Sequence, residues 1–256
     1  MNKILRYLIT ATLVTAAAVC FVLFEILHIR IVEDPITNTL LTSVIYHLAL
    51  CAMLFWFIFY LSPLPLFSFR NLTIKKLLWC LPCLLVALVN FPYSGLIKGT
   101  VQFARADLLW LYIIYVILIA VLEEVVFRGI FIFWLKDVFR NSKIRNFLVV
   151  LISSAVFALF HLFNLIGGMS VGDVLLQVLY TFLVGAMLAV VVLKTKNVLI
   201  PIVIHALFDF GGLLTAGIAI GNPWDVVFWI LTISCGILCA GHIIVSLINL
   251  DRKDVS

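Results

Sequence analysis

Long apolar runs alternate with short polar segments along the chain. The runs fall at about 7–28, 39–61, 77–96, 108–130, 147–166, 174–193, 198–217 and 226–249, and each is bounded by charged residues, Pro, Gly or Asn. A helix needs about 20 apolar residues to cross a bilayer. The pattern therefore predicts an all-α fold, a polytopic membrane helical bundle with about eight transmembrane helices.

The third and first runs differ from the others. Pro82 and Pro92 interrupt the third run and Gly95 follows, so it is predicted to be short, kinked or re-entrant. The stretch from Lys98 to Leu108 that comes next is predicted to be an outer loop. The first run is too long for a signal peptide and has no clear cleavage site, so it is interpreted as a retained span.

Basic residues are distributed unequally between the two sides of such a bundle. One side has only Arg30, Lys98 and Arg105. The other side has Lys3, Arg6, Arg70, Lys75, Lys76, Lys136, Arg140, Lys143, Arg145, Lys194, Lys196, Arg252 and Lys253. Cytoplasmic loops of membrane proteins are enriched in Lys and Arg. Both termini are therefore predicted to be cytoplasmic, with a bacterial plasma membrane as the expected location.

The composition agrees with a membrane protein and excludes other classes. Of 256 residues, 65% are hydrophobic and 11% are charged, and the mean hydropathy is +1.27, whereas soluble domains are about one quarter charged. The net charge of +5 is explained by the loops, and no basic strip with interleaved aromatic residues suits nucleic acid. The six cysteines lie in or beside apolar runs, where they are interpreted as small hydrophobic residues.

Ionisable residues inside the predicted spans indicate the chemistry, because each costs about 2.5–3.5 kcal/mol on insertion scales. The fourth run ends with Glu123 and Glu124, and Arg128 follows four residues after the second glutamate. Glu124 and Arg128 share a helix face and are predicted to pair. Glu123 is rotated by about 100° from Glu124, so it is expected to point elsewhere in the bundle.

Two histidines lie in other spans at a comparable depth. His161 is in the fifth run, and His205 is in the seventh, with Asp209 one helical turn away on the same face. At about 1.5 Å of rise per residue, Glu123 and these three residues lie about 14–24 Å from the basic residues of the inner interface. They are therefore expected inside the hydrocarbon core, which is about 30 Å thick.

A carboxylate and two imidazoles at one depth can activate water for peptide hydrolysis. The glutamate can accept a proton from water, one histidine can orient that water, and the second histidine with its polar neighbour can stabilise the oxyanion. Alternatively, Glu123, His161 and His205 could hold a divalent metal such as zinc. A purely structural role is also open, with Glu124 and Arg128 as a buried ion pair and the histidines bonding neighbouring helices.

Three motifs, in this order, carry a family resemblance. They are Glu-Glu-x-x-x-Arg-Gly at 123–129, Phe-x-x-x-His at 157–161 and His-x-x-x-Asp at 205–209. With them the sequence resembles the CPBP family of intramembrane proteases, the type II CAAX prenyl endopeptidase-like and bacteriocin-processing proteins. The resemblance covers roughly 108–217. Neither a His-Glu-x-x-His zinc motif nor a Gly-x-Gly-Asp aspartyl motif is present.

The resemblance implies a role for each motif residue. Glu123 would be the general base, His161 would help to activate water, and His205 with Asp209 would lie at the oxyanion. They would be supported by three neighbouring side chains, Glu124, Arg128 and Phe157. No cofactor is implied, with the metal as the alternative. The family often has Asn where this chain has Asp209, which donates a hydrogen bond only when protonated; Asp209 could instead orient His205 or bind a metal.

The predicted function is an intramembrane endopeptidase whose partners are the lipid bilayer and a membrane-associated or lipidated peptide or protein substrate. The runner-up is a non-catalytic self-immunity or scaffold protein that binds a bacteriocin peptide or a membrane protein. A small transporter is a third interpretation, although no inverted repeat is evident. The chain is divided into N-terminal spans at 1–107, a catalytic core at 108–217, and a last helix with its tail at 218–256.

Four further polar residues are interpreted as structural or interfacial. Glu25 and His28 lie near the outer end of the first run. His47 and His242 each stand alone in an apolar run.

Overall fold

The computed structural model describes residues 29–60, 66–70 and 72–255, together with Thr12, Thr15, Ala16 and Val19. The first predicted span, 7–28, and with it Glu25 and His28, lies outside the described residues apart from those four. Within the described part, six helical segments are long and apolar enough to cross a membrane. They are Pro35–Phe59, Leu81–Lys98, Ala106–Val138, Arg145–Leu165, Val171–Thr195 and Val226–Asp251.

The described elements are helical apart from two short strands. The first half contains α1 (Pro35–Tyr60), α2 (Ile74–Trp79), α3 (Leu81–Val89), α4 (Tyr93–Lys98), β1 (Val101–Phe103) and α5 (Leu109–Glu124). The second half contains a π-helix (Val125–Phe131), α6 (Ile132–Val138), α7 (Arg145–Phe160), α8 (Val171–Thr195), α9 (Leu199–Gly212), α10 (Leu214–Gly217), β2 (Ala219–Gly221) and α11 (Val226–Val255). Turns of 3₁₀-helix at Ala106–Leu108 and His161–Leu165 precede α5 and follow α7.

The bundle has two distinct ends. At the strand end, β1 pairs antiparallel with β2, and the Tyr112 hydroxyl on α5 donates to the Phe210 carbonyl on α9 at 2.7 Å. At the opposite end, the Val198 amide donates to the Leu66 carbonyl at 2.9 Å, which ties the α8–α9 turn to the chain after α1. We call this the basic end, because it carries Arg70, Lys75, Lys76, Lys136, Arg140, Lys143, Arg145, Lys194 and Lys196.

Helix α8 forms the centre of the bundle. All its side chains from Met187 to Leu193 are buried, and residues of α3, α7, α9 and α11 pack around them in the largest apolar cluster. The Ser170 hydroxyl caps the helix by accepting a hydrogen bond from the Asp173 amide. By contrast, α11 exposes Ile230, Ile233 and Ile237 on its outer face. Apolar surface of this extent fits contact with lipid rather than water.

The third predicted span is broken where its prolines and polar residues lie. Helix α2 ends at Trp79, α3 begins with a proline in its first turn and ends at Val89, and α4 begins after Pro92. The predicted outer loop from Lys98 to Leu108 contains a short strand and a 3₁₀ turn. The loop is structured because β1 finds a hydrogen-bonding partner in β2, which sequence patterns over three residues do not reveal.

An ion pair joins α4 to the start of α11 at the strand end. Lys98 Nζ and Ser94 Oγ donate to Asp225 Oδ2 at 2.7 Å and 2.5 Å. The hydrogen bond from Lys98, followed by that from Ser94, lowers the pKa of the Asp225 carboxyl below its usual range. The first residue before α11 is thus held against the third predicted span.

The seventh predicted span, 198–217, is divided in the structure. Helix α9 has 14 residues and ends at Gly212, and the four-residue helix α10 follows. A Cβ atom on Gly211 would lie 2.7 Å from backbone atoms of Asn90 and Phe91, and Asn90 Nδ2 donates to the Phe208 carbonyl at 2.8 Å. Helix α9 therefore ends where it meets the chain after α3, and the count of eight spans stays a prediction.

We expect Gly211→Ala to destabilise the protein, because the new methyl group meets backbone rather than a flexible side chain. Overpacking of this kind costs about 1–3 kcal/mol. The matched control is Gly236→Ala in α11, where the new methyl group would have nothing within 4 Å, and which is expected to be neutral or slightly stabilising. Thermal unfolding in detergent measures both, and an equal melting temperature for the two variants would contradict the close contact.

Candidate active site

A fully buried ion pair lies where α5 ends. Arg128 Nη1 is 2.8 Å from Glu124 Oε1, and neither side chain has any exposed surface. The guanidinium also lies over the Phe157 ring, with Cζ 4.0 Å from the ring centroid, in the range of a cation–π interaction. The predicted Glu124–Arg128 pair is confirmed, and Phe157 supports it from α7.

A π-helix begins directly after the two glutamates. Its residues, Val125–Phe131, include Arg128. A π-helix is rare and leaves backbone groups poorly matched, so it persists only where other contacts compensate. Here the Ser153 hydroxyl on α7 donates to the Phe127 carbonyl at 3.3 Å. Nothing in the sequence pattern indicated this change of helix type, since α- and π-segments share their apolar composition.

His205 connects both glutamates. Its Nδ1 is 2.8 Å from Glu124 Oε1, while its Nε2 is 3.6 Å from Glu123 Oε2 and 3.3 Å from Asp209 Oδ2. Glu123 faces the cavity while Glu124 is fully buried, in line with their expected difference in direction, yet one imidazole contacts both. Adjacent residues on α5 differ by about 100° in direction, but the imidazole lies between them and presents one ring nitrogen to each carboxylate.

The geometry fixes how His205 is protonated at Nδ1. Glu124 is paired with Arg128 and is an acceptor, so the 2.8 Å contact is an Nδ1–H donating to the carboxylate. The carboxylates of Glu123 and Asp209 at Nε2 favour a second proton there. His205 is therefore placed to be an imidazolium with a donor on each side of its ring.

The site opens into a cavity of about 180 Å³. Four predicted site residues line it: Glu123, His161, His205 and Asp209. His161 lies at the start of the 3₁₀ turn after α7, and its Nδ1–H donates to the Phe157 carbonyl at 2.9 Å. That hydrogen bond leaves Nε2 as the ring nitrogen available to a molecule in the cavity. Phe157 packs edge-on against both His161 and His205.

Several polar residues that the sequence interpretation did not assign to the site also line the cavity. They are Ser43, His47, Tyr115, Asn164, Gln177, Tyr180 and Thr181. His47 was interpreted as an isolated structural residue; its ring nitrogen Nδ1 does bond the Ser43 carbonyl at 2.8 Å, but its ring also faces the site. Its position in an apolar run was the only signal, and α1 could not be placed beside α5 from sequence.

His242 has the structural role that was predicted for it. Its ring lies 4.7 Å from the Trp79 ring. Its Nε2 is 3.1 Å from the Trp79 carbonyl. These contacts hold α11 against α2, away from the cavity.

The described side chains are not already arranged around a metal position. Zinc takes about four ligands at 2.0–2.3 Å. Among the described residues, no three His, Cys, Asp or Glu side chains are grouped so as to hold a metal ion. The alternative ligand set of Glu123, His161 and His205 stays a prediction: the hydrogen bonds at Nδ1 leave Nε2 as the nitrogen with which either imidazole would bind a metal.

The site lies within a segment that matches a known protein family. Residues 105–211 match the family described as type II CAAX prenyl endopeptidase Rce1-like. The chain contains a Rce1-like domain. This Rce1-like domain extends from the turn before α5 into α9 and includes every predicted site residue. No curated protein and no solved structure matches the chain significantly.

We expect Glu124→Gln in the Rce1-like domain to be strongly destabilising. Glutamine can still accept the hydrogen bond from His205, but Arg128 keeps a buried charge without its partner. Removing one charge of a buried ion pair while the other stays buried lowers the free energy of unfolding by about 3–5 kcal/mol. The double variant Glu124→Gln/Arg128→Met removes both charges and is expected to recover most of that loss.

Unfolding free energies in detergent, arranged as a double-mutant cycle, measure the coupling. Effects that simply add would contradict the account of Glu124 and Arg128 as one paired unit.

Proposed function

We propose that the protein is an intramembrane endopeptidase that hydrolyses a peptide bond of a membrane-associated or lipidated substrate with water activated by Glu123. The Rce1-like family is a protease family, and the chain is a multi-pass membrane protein. One observation best supports the mechanism. Glu123, His161 and His205 line the same cavity within an apolar bundle.

Glu123 is the proposed general base. About 20% of its side chain is exposed, whereas Glu124 is fully buried and committed to Arg128 and His205. Glu123 takes one proton from water while the water oxygen forms a bond to the carbonyl carbon of the substrate. The protonated Glu123 then gives its proton to the leaving nitrogen as the carbon–nitrogen bond breaks, which yields an amine and a carboxylic acid that ionises on release.

His161 is proposed to orient that water. With Nδ1–H held by the Phe157 carbonyl, neutral His161 has an acceptor at Nε2. A water bound there directs its second proton towards Glu123 and its lone pair towards the substrate. The role depends on one fixed tautomer, and the backbone hydrogen bond supplies it.

His205 is proposed to stabilise the oxyanion. As an imidazolium it donates from Nδ1 to Glu124 and presents Nε2–H to the cavity. A preorganised donor in a site of low dielectric constant is worth much more than one in water. Asp209, one turn along α9, accepts from the same Nε2–H when no substrate is bound. Asp209 is thus proposed to hold the imidazolium in place rather than to donate.

The orientation in the membrane is proposed from charge. The basic end carries most of the Lys and Arg residues in the described part of the chain, and such ends face the cytoplasm. The C-terminal helix α11 runs towards that end, where Asp251 accepts hydrogen bonds from the Asn146 and Phe147 amides at 2.8 Å and 3.2 Å. Both termini are accordingly proposed to be cytoplasmic.

The direct test of the mechanism is the substitution Glu123→Gln. Loss of a general base lowers turnover by about 10²–10⁴-fold, and we expect a loss in this range for cleavage of a fluorogenic farnesylated peptide by detergent-purified protein. The matched control is Glu33→Gln, the same change at an exposed glutamate outside the cavity, which is expected to keep full activity.

Two outcomes would contradict the assignment of Glu123 as the general base. Cleavage unchanged by Glu123→Gln would contradict the role of that residue. Activity that disappears with a chelator and returns with added zinc would favour a metal enzyme over a base that acts directly on water.

A further inference from the structure

Two neutral polar side chains also line the cavity. Asn164, in the 3₁₀ turn after α7, donates from Nδ2 to Oε1 of Gln177 on α8 at 2.8 Å. Both side chains are half-buried and line the cavity that contains Glu123. We call these two residues the amide pair. The proposed hydrolysis uses neither of them.

The amide pair has hydrogen-bonding capacity left after this mutual bond. Each carboxamide has two donor hydrogens and one acceptor oxygen with two lone pairs. The bond between the two uses one hydrogen of Asn164 and one lone pair of Gln177, and Gln177 also hydrogen-bonds the Tyr180 side chain. The Asn164 oxygen and a second Gln177 hydrogen are therefore available at the cavity wall.

The acceptor left on Asn164 and the donor left on Gln177 complement the donor and acceptor of a peptide unit. A backbone amide offers one donor and one acceptor, and each costs free energy when it is removed from water without a partner. A substrate segment in a membrane satisfies its backbone as a helix, but it must unwind before water can attack a carbonyl carbon. Unwinding exposes donors and acceptors, which an acceptor on Asn164 and a donor on Gln177 can satisfy.

The charges of the cavity-lining residues also favour a peptide backbone as the ligand. Among the described residues that line it there is no Lys or Arg, and the His205 imidazolium is already paired with Glu124 and Asp209. The carboxylates and imidazoles that line the cavity are those already described. A neutral wall suits the uncharged backbone of an internal segment, as an endopeptidase requires.

Helix geometry gives the distance from His161, which is proposed to orient the attacking water, to Asn164 of the amide pair. Asn164 follows His161 by three residues in a 3₁₀ turn, which rises about 2.0 Å per residue, so it lies about 6 Å further along the axis. An extended peptide advances about 3.3 Å per residue. Two residues of extended substrate therefore span the interval from the attacked carbonyl to the amide pair.

We propose that Asn164 and Gln177 form a substrate-binding subsite that holds one backbone peptide unit of an extended substrate, about two residues from the bond that is cut. The inference rests on the proposed protease function and names the part of the substrate that the site recognises. Asn164 accepts from the substrate N–H, and Gln177 donates to the substrate carbonyl. Recognition of backbone rather than side chains permits cleavage of varied sequences.

The first measurement is steady-state cleavage of a fluorogenic farnesylated peptide by wild type, Asn164→Leu and Gln177→Leu. Both leucine variants are expected to raise KM by about tenfold and to leave kcat within about twofold, because they remove binding shared by the ground state and the transition state. The control is Gln102→Leu in β1, outside the cavity. A loss confined to kcat, or an unchanged KM, would overturn the proposal.

The second measurement replaces single peptide bonds of the same probe by ester bonds, each of which removes one N–H. In wild type, one ester about two residues from the scissile bond is expected to raise KM by about tenfold. In Asn164→Leu that ester is expected to have no further effect, because its partner is already gone. Effects that add independently in the variant would overturn the assignment of Asn164.

Binding separates failure of the subsite from failure of the protease function. If wild type cleaves no probe, fluorescence anisotropy of the labelled peptide still measures its affinity. Weaker binding by Gln177→Leu than by Gln102→Leu would then support the subsite while the protease proposal fails. Equal affinities, or no binding by wild type, would overturn the subsite.

Discussion

The carboxylate of Glu124 is the group on which the rest of the site depends. It is fully buried and accepts from Arg128 and His205 at 2.8 Å each. A buried charge of either sign is tolerated only when it is paired and hydrogen-bonded. Glu124 supplies the opposite charge for a guanidinium on the π-helix and the hydrogen-bond acceptor for an imidazole on α9. One side chain thus joins two elements that are distant in the chain.

The Glu124–Arg128 pair needs space between α7 and α8, and a glycine on α8 provides it. A Cβ atom on Gly185 of α8 would lie 3.2 Å from Arg128 Nη2 and 3.1 Å from the Phe157 ring. The absence of a side chain there leaves room for the guanidinium between α7 and α8. The π-helix then holds Arg128 against Glu124 at the centre of the bundle. With Glu124 neutralised, Glu123 remains the carboxylate of this pair that faces the cavity.

The sequence was sufficient to predict the features that depend on local spacing. The apolar runs indicated the helices, and the i, i+4 intervals indicated the Glu124–Arg128 pair and the contact of His205 with Asp209. Features that depend on which helices are neighbours could not be predicted. The approach of His205 to both glutamates is of this kind, as are the position of His47 on the cavity wall and the end of α9 at the chain after α3.

The division of the two glutamates into a buried partner of Arg128 and a base that acts on water is the central claim. Single-turnover cleavage in ¹⁸O-labelled water, followed by mass spectrometry of product and protein, tests it most directly. Direct attack by water predicts one ¹⁸O atom in the new carboxylate of the product and none in Glu123. Label in the Glu123 carboxylate after one turnover would contradict the account, because it would mean that Glu123 had formed a covalent bond to the substrate.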